Sequence, residues 1–156
     1  MRLGKWLSDR LIAHAIHHPY EHIQHDDGKP YMDRYWLLKP RAWMPLSIRI
    51  HHILSSDRGR DMHDHPWSSV SHILRGGYWE LMPARVAWRE EGDWVSRAAL
   101  DRHRLLVPKK TSCWSLFVMF GKQREWGFYT RHGWIDRATY LANPARSRTQ
   151  GSHVEC

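Results

Sequence analysis

"RDMHDHPWSSVSHILRGGYWE", residues 60–80, sets two histidines one residue apart ahead of a short apolar run and a pair of glycines. If this stretch is extended, His63 and His65 leave the same face of the sheet, because side chains alternate along a strand, and both imidazoles can converge on one ion. Neutral imidazole is the commonest protein metal ligand and suits iron, zinc, copper and nickel. Two such ligands leave a divalent ion mostly hydrated, so a third has to come from another strand. The stretch "EEGDWVSRAALDRHRLLVP", residues 90–108, offers one: Gly92 opens a turn, a short extended piece follows, and His103 begins a strand able to pair with an earlier hairpin.

Elsewhere along the chain the texture is that of short strands between turn residues. "YWLL" (35–38), "LSIRIHHIL" (46–54), "SVSHIL" (69–74), "YWELM" (78–82), "VAW" (86–88), "HRLLV" (103–107) and "CWSLFVMF" (113–120) are rich in β-branched or aromatic residues and bounded by Gly, Pro, Asp or Lys. In 46–54, Leu46, Ile48 and Ile50 alternate with Ser47, Arg49 and His51, which predicts a half-buried strand. His51 and His52 point to opposite faces, so at most one looks inward. Many short strands without intervening helical periods predict a mainly all-β, antiparallel barrel or sandwich.

Before the strands, residues 2–16 place Leu3, Trp6, Leu7 and Leu11 at helical spacing, predicting an amphipathic helix that docks on the domain. His14, His17 and His18 fall near its C-terminus, where positive charge is favourable. His22 and His25 are expected in a loop marked by Pro19, Asp26, Asp27, Gly28 and Pro30. The expected organisation is a helix and loop over residues 1–30, a barrel over 31–141, and a polar, disordered tail over 142–156.

The chain has 156 residues, enough for one substantial core, and its formal charge of +8 accompanies 42% hydrophobic residues and ten tryptophans, which excludes a disordered basic tail. A basic balance fits nucleic acid, an anionic membrane surface or an acidic small molecule, and equally a solvated surface. Trp67, Trp79, Trp88, Trp94, Trp114, Trp126 and Trp134 are expected in core and rim packing rather than in stacking on bases or sugars. Only Cys113 and Cys156 are present, so no disulfide framework is read, and no window reaches membrane-spanning length; the expected location is cytosolic.

Taken together, Gly59, the "HDH" pair, the "RGG" of 75–77, Gly92 and His103 stand in an order and spacing that resembles the cupin family over roughly residues 35–130. More narrowly, "HDHPW…ILRGGYWE…HRL…WGF" resembles a cupin-like group of bacteria and their phages, a likeness that brings no activity with it. The resemblance implies a small jelly-roll barrel with His63, His65 and His103 as metal ligands and the glycine pair as the closing turn of the first motif. The family's usual acidic ligand falls at Ser69 or Val70, neither a carboxylate; His72 offers a fourth nitrogen instead, and Glu80 is the nearest downstream carboxylate. A three-histidine site is similar to that of the thiol dioxygenase branch, implying Fe(II), with zinc, manganese or nickel as alternatives. Arg49, Arg75, Tyr78 and Glu80 are then the candidates for orienting a small polar or anionic substrate. The alternatives are a metal-assisted isomerase or hydrolase and a non-catalytic module for nucleic acid or sugar. Pairing of two barrels into a homodimer stays open.

Overall fold

A computed structural model describes residues 4–18 and 20–143. Leu3, Pro19, Cys156 and residues 144–156 of the expected tail lie outside the described residues. Helix α1 (Lys5–Ala15) leads into strands β1 (Tyr20–Gln24), β2 (Pro30–Leu38), β3 (Ser47–Ile53), β4 (Met62–His63), β5 (Ser69–Met82), β6 (Arg85–Glu90), β7 (Trp94–Arg97), β8 (Arg104–Leu106), β9 (Cys113–Met119), β10 (Gly127–Thr130) and β11 (Gly133–Asp136), and a short helix α2 (Arg137–Leu141) follows. Every pairing is antiparallel: β1-β2-β3-β9-β5-β6 run side by side with β7 and β8 also on β5, while β11-β10-β4 form a smaller sheet. This is the all-β barrel with an N-terminal helix that the strand texture predicts. No described helix is long and apolar enough to cross a membrane.

Which face of β3 looks inward positions everything else. Ser47, Arg49, His51 and Ile53 are all buried on one face, and Ile50 is buried on the other. The outer, apolar face is covered by α1: Ile12 and Ala15 pack on Ile50 and Leu74. The polar set therefore faces the barrel interior, and a separate inner cluster of Met32, Ile53, Ile73, Tyr78, Leu105 and Cys113 fills one end. The expected docking face of α1 is corrected by this packing. Trp6 and Leu7 are exposed, and Ser8, Ile12 and Ala15 face the sheet with Leu11 beside them, because small side chains at 8 and 15 let the helix backbone lie close.

The glycine pair is corrected too. Residues 69–82 form one strand, not two strands around a turn. Its first part pairs with β9 and β7 and its last with β6 and β8, so Gly76 and Gly77 are the corner at which β5 passes from one wall to the other. Gly76 has φ of +74°, and a Cβ there would lie 2.1 Å from the Ser112 carbonyl oxygen. Only glycine combines that dihedral with that approach. Residues 20–24, expected as loop, hydrogen-bond to β2, so the sheet begins at Tyr20 and His22 lies on a strand. The β10–β11 hairpin leaves no signal in the sequence, since "GFYT" and "GWID" are too short to show alternation.

Candidate metal centre

His63 and His103 face each other across an isolated antiparallel bridge and exchange both backbone hydrogen bonds, each with N···O of 2.9 Å. The His65 amide donates to the Ala99 carbonyl at 3.1 Å, which holds the segment extended, so that alternation puts 63 and 65 on one side. Asp64 points the other way and is fully buried, accepting from the Gly127 amide at 2.8 Å, Tyr129 Oη at 3.1 Å, Trp134 Nε1 at 3.2 Å and the Arg124 guanidinium. The middle residue of "HDH" thus fastens the motif to the β10–β11 hairpin. The three imidazoles form a near-equilateral set, with ring centroids 5.0, 5.0 and 5.1 Å apart.

Two carboxylates stand behind the rings. Glu80, buried on β5, accepts from His103 Nδ1 at 2.8 Å, from Arg89 Nε at 2.7 Å and from Arg97 Nε at 2.8 Å. This arrangement commits the Nδ1 proton to the carboxylate and leaves Nε2 with its lone pair toward the cluster, the usual support of a ligating histidine. Burial opposes ionisation of Glu80, but the His103 hydrogen bond and the Arg97 charge outweigh it and hold the carboxyl well below the usual range. Asp57 lies 3.7 Å from His63 Nδ1 and accepts from Tyr31 Oη and from the Leu105 amide at 2.7 Å. Burial pulls His103 down to about 4, and burial together with the neighbouring histidines pulls His65 well below its ordinary value. Both rings are therefore neutral near pH 7, the form that ligates.

The donor set fits a divalent transition metal. One ligating atom from each of the three histidines lies within 4.8 Å of the others, and no other such group of three occurs among the described residues. His65 Nε2 and His103 Nε2 are 2.9 Å apart; nitrogens each about 2.1 Å from one ion at a right angle would lie about 3 Å apart. The cluster opens on a cavity of about 530 Å³, the size of a small-molecule site. The rings of Trp67 and Trp126 lie near-parallel to that of His65, each with its centroid 6.5 Å away. A depression of about 680 Å³ elsewhere, beside Gly76, Trp88 and Gly92, holds none of the three.

The remaining sequence candidates divide. Arg49 and Tyr78 line the cavity, and Tyr78 Oη lies 3.5 Å from Arg97 Nη2. Glu80 reaches the cluster only through His103. His72 is corrected: with Val70 it alternates away from the cavity-lining Ser69 and Ser71, stacks on Trp94 and hydrogen-bonds through Nδ1 to the Asp93 carbonyl at 3.1 Å. Arg75 is corrected as well, being half exposed and bonded to Asp9 of α1 at 2.6 Å. Trp79, Trp88, Trp94 and Trp134 are exposed rather than packed inside. Arg34, Arg97, Asp57 and Tyr31 were missed, although Arg97 alternates with Val95 on the buried face of β7, a pattern readable in "WVSR".

No protein-family model and no curated protein sequence matches the chain. Among solved structures it is similar to the polyketide cyclase RemF from Streptomyces resistomycificus (TM-score 0.61, 14% identity, 84% of this chain and 92% of that one) and to a cupin-2 domain protein from Rhodospirillum rubrum (0.57, 15%, 81% and 83%). It is also similar to HppE in its Fe(II) form (0.55, 15%, 67% of this chain), of which it spans 57%.

Proposed function

We propose that this cupin-fold protein holds one divalent metal on His63, His65 and His103 and is an enzyme acting on a small anionic molecule, with iron-dependent dioxygen chemistry as its reaction class. The observation that carries this is the set of three mutually facing imidazoles with Glu80 fixing the proton on His103. A ferrous ion held there supplies a Lewis acid and a one-electron redox centre. Because imidazole is an uncharged ligand, a divalent ion held there would keep its positive charge and favour an anion. Trp67 and Trp126 supply apolar rings to the cavity wall beside His65, and Arg97 keeps Glu80 ionised against burial. Glu80, which stands behind His103, is committed to that ring and two arginines, and the cavity-lining Asp57 to Tyr31 and a backbone amide. Glu21 and Asp26 stand at the exposed mouth. HppE is an Fe(II) protein and RemF a cyclase, so similarity of fold does not by itself choose between them.

The test is elemental analysis of protein purified without chelator, repeated on His63→Ala and His103→Ala. One equivalent of metal in the parent and its loss from both variants is expected. Metal retained in both variants would overturn the assignment, and nucleic-acid binding that survives these changes yet falls steeply with salt would point to a binding module instead.

A further inference from the structure

The cavity wall away from the histidines carries polar groups that the metal reading leaves without a task. In the β2–β3 register Arg34 stands opposite His51, and Trp36 opposite Arg49. Ser71 of β5 joins them on the far side of β9, and all but Trp36 line the same cavity as the three histidines. Arg49, His51 and Ser71 are only 7%, 6% and 3% exposed. Yet Arg34 Nε, Arg49 Nε, His51 Nε2 and Ser71 Oγ are all buried with no hydrogen-bond partner among the described residues. Native interiors leave few such atoms, and four on one wall are a built polar surface.

Its charge is only partly compensated. Arg34 has Glu21 at 3.9 Å, a side chain more than half exposed, and Arg49 forms no ion pair among the described residues. Arg49 instead lies over the face of Trp36, 3.7 Å from the ring centroid, which fixes the guanidinium without neutralising it. Burial and then the charge of Arg34 pull Arg49 down to about 10, a measure of how poorly the cation is solvated there. Burial keeps His51 neutral beside both arginines, so it serves as a hydrogen-bonding group and adds no charge.

We propose that this wall binds an oxyanion of the substrate, a carboxylate or a phosphate-type group, with Arg34 and Arg49 supplying charge and His51 and Ser71 supplying directed hydrogen bonds. The inference rests on the metal reading, since it places the anionic end of one small molecule on the arginines and its reacting end at the histidines. Planar guanidiniums match the paired oxygens of either anion, which point-charge ammonium groups would not.

The test is calorimetric titration of inorganic phosphate, and separately of acetate, into chelator-treated protein. Saturable binding of at least one is expected in the parent and in His103→Ala, weakened about tenfold or more in Arg34→Gln and in Arg49→Gln. The tighter of the two anions identifies the class. Arg49→Lys keeps a cation over Trp36 and guards against misfolding; it should bind more weakly than the parent with an unchanged melting temperature. Parent-like binding in both Gln variants overturns the inference. Binding that needs metal and vanishes in His103→Ala also overturns it, by placing the anion on the ion, while leaving the metal reading intact. Loss of the metal reading is detected separately, because the elemental assay contains no added anion.

Discussion

Glu80→Gln is the most telling perturbation, because one carboxylate serves both the fold and the candidate metal centre. In the parent, Glu80 accepts charge-assisted hydrogen bonds from three residues, His103, Arg89 and Arg97, the last through both Nε and Nη2, and Arg97 is only 7% exposed. The amide keeps the shape but removes the negative charge and turns one acceptor into a donor that faces donors. Breaking a buried ion pair from one side costs about 3–5 kcal/mol; Arg89, partly exposed, is able to turn toward water, so the expected loss is at the lower end, about 3 kcal/mol. The same change releases His103 Nδ1, and loss of a carboxylate behind a ligating histidine weakens metal binding about ten- to a hundredfold. Urea unfolding of the metal-free variant reads the first effect, and competition against a chromophoric chelator reads the second. A variant within about 1 kcal/mol of the parent, with parent-like metal affinity, would refute the assignment of Glu80 to both tasks. Lost stability with unchanged affinity would refute only its task behind His103.

Two further outcomes are expected. Gly76→Ala forces a Cβ onto the Ser112 carbonyl at a positive φ, and should cost at least about 2 kcal/mol in denaturant unfolding; a loss under about 0.5 kcal/mol would show that the corner relaxes freely. In the metal-free protein, His103 takes its proton at about 4 folded against 6.5 unfolded, so the unfolded chain binds more protons between those values and stability must fall as pH drops through that window. The size is about 3 kcal/mol from His103 alone. His65 and His51, depressed chiefly by burial, act in the same direction. Urea midpoints measured across the window, in the parent and in His103→Asn, should show a shallower slope in the variant; equal slopes would contradict the assignment.

Much of the site is legible along the chain where it depends on local alternation. His63 and His65 share a face because they are two residues apart, and Gly92 marks the turn before the segment that ends in His103. Glu80 appears in the sequence only as a nearby acid. Its place behind His103 comes from β5 pairing with β8, where Glu80 lies opposite Leu105. Arg75 and Arg97 are equally basic residues on neighbouring strands, yet one meets Asp9 at the surface and the other Glu80 in the interior.

The amino-acid order by itself determined the all-β texture, the N-terminal helix, the shared face of the two motif histidines and the absence of an acid at Ser69 and Val70. Only the tertiary structure decided which face of each strand is inside. Alternation divides β3 into an apolar set and a polar set without choosing between them. That choice belongs to α1, which covers Ile50 and so turns Arg49 and His51 toward the cavity. The same holds for the glycine pair, since the positive φ of Gly76 suits a turn or a corner equally. The Ser112 carbonyl, thirty-six residues along the chain from Gly76, makes it a corner.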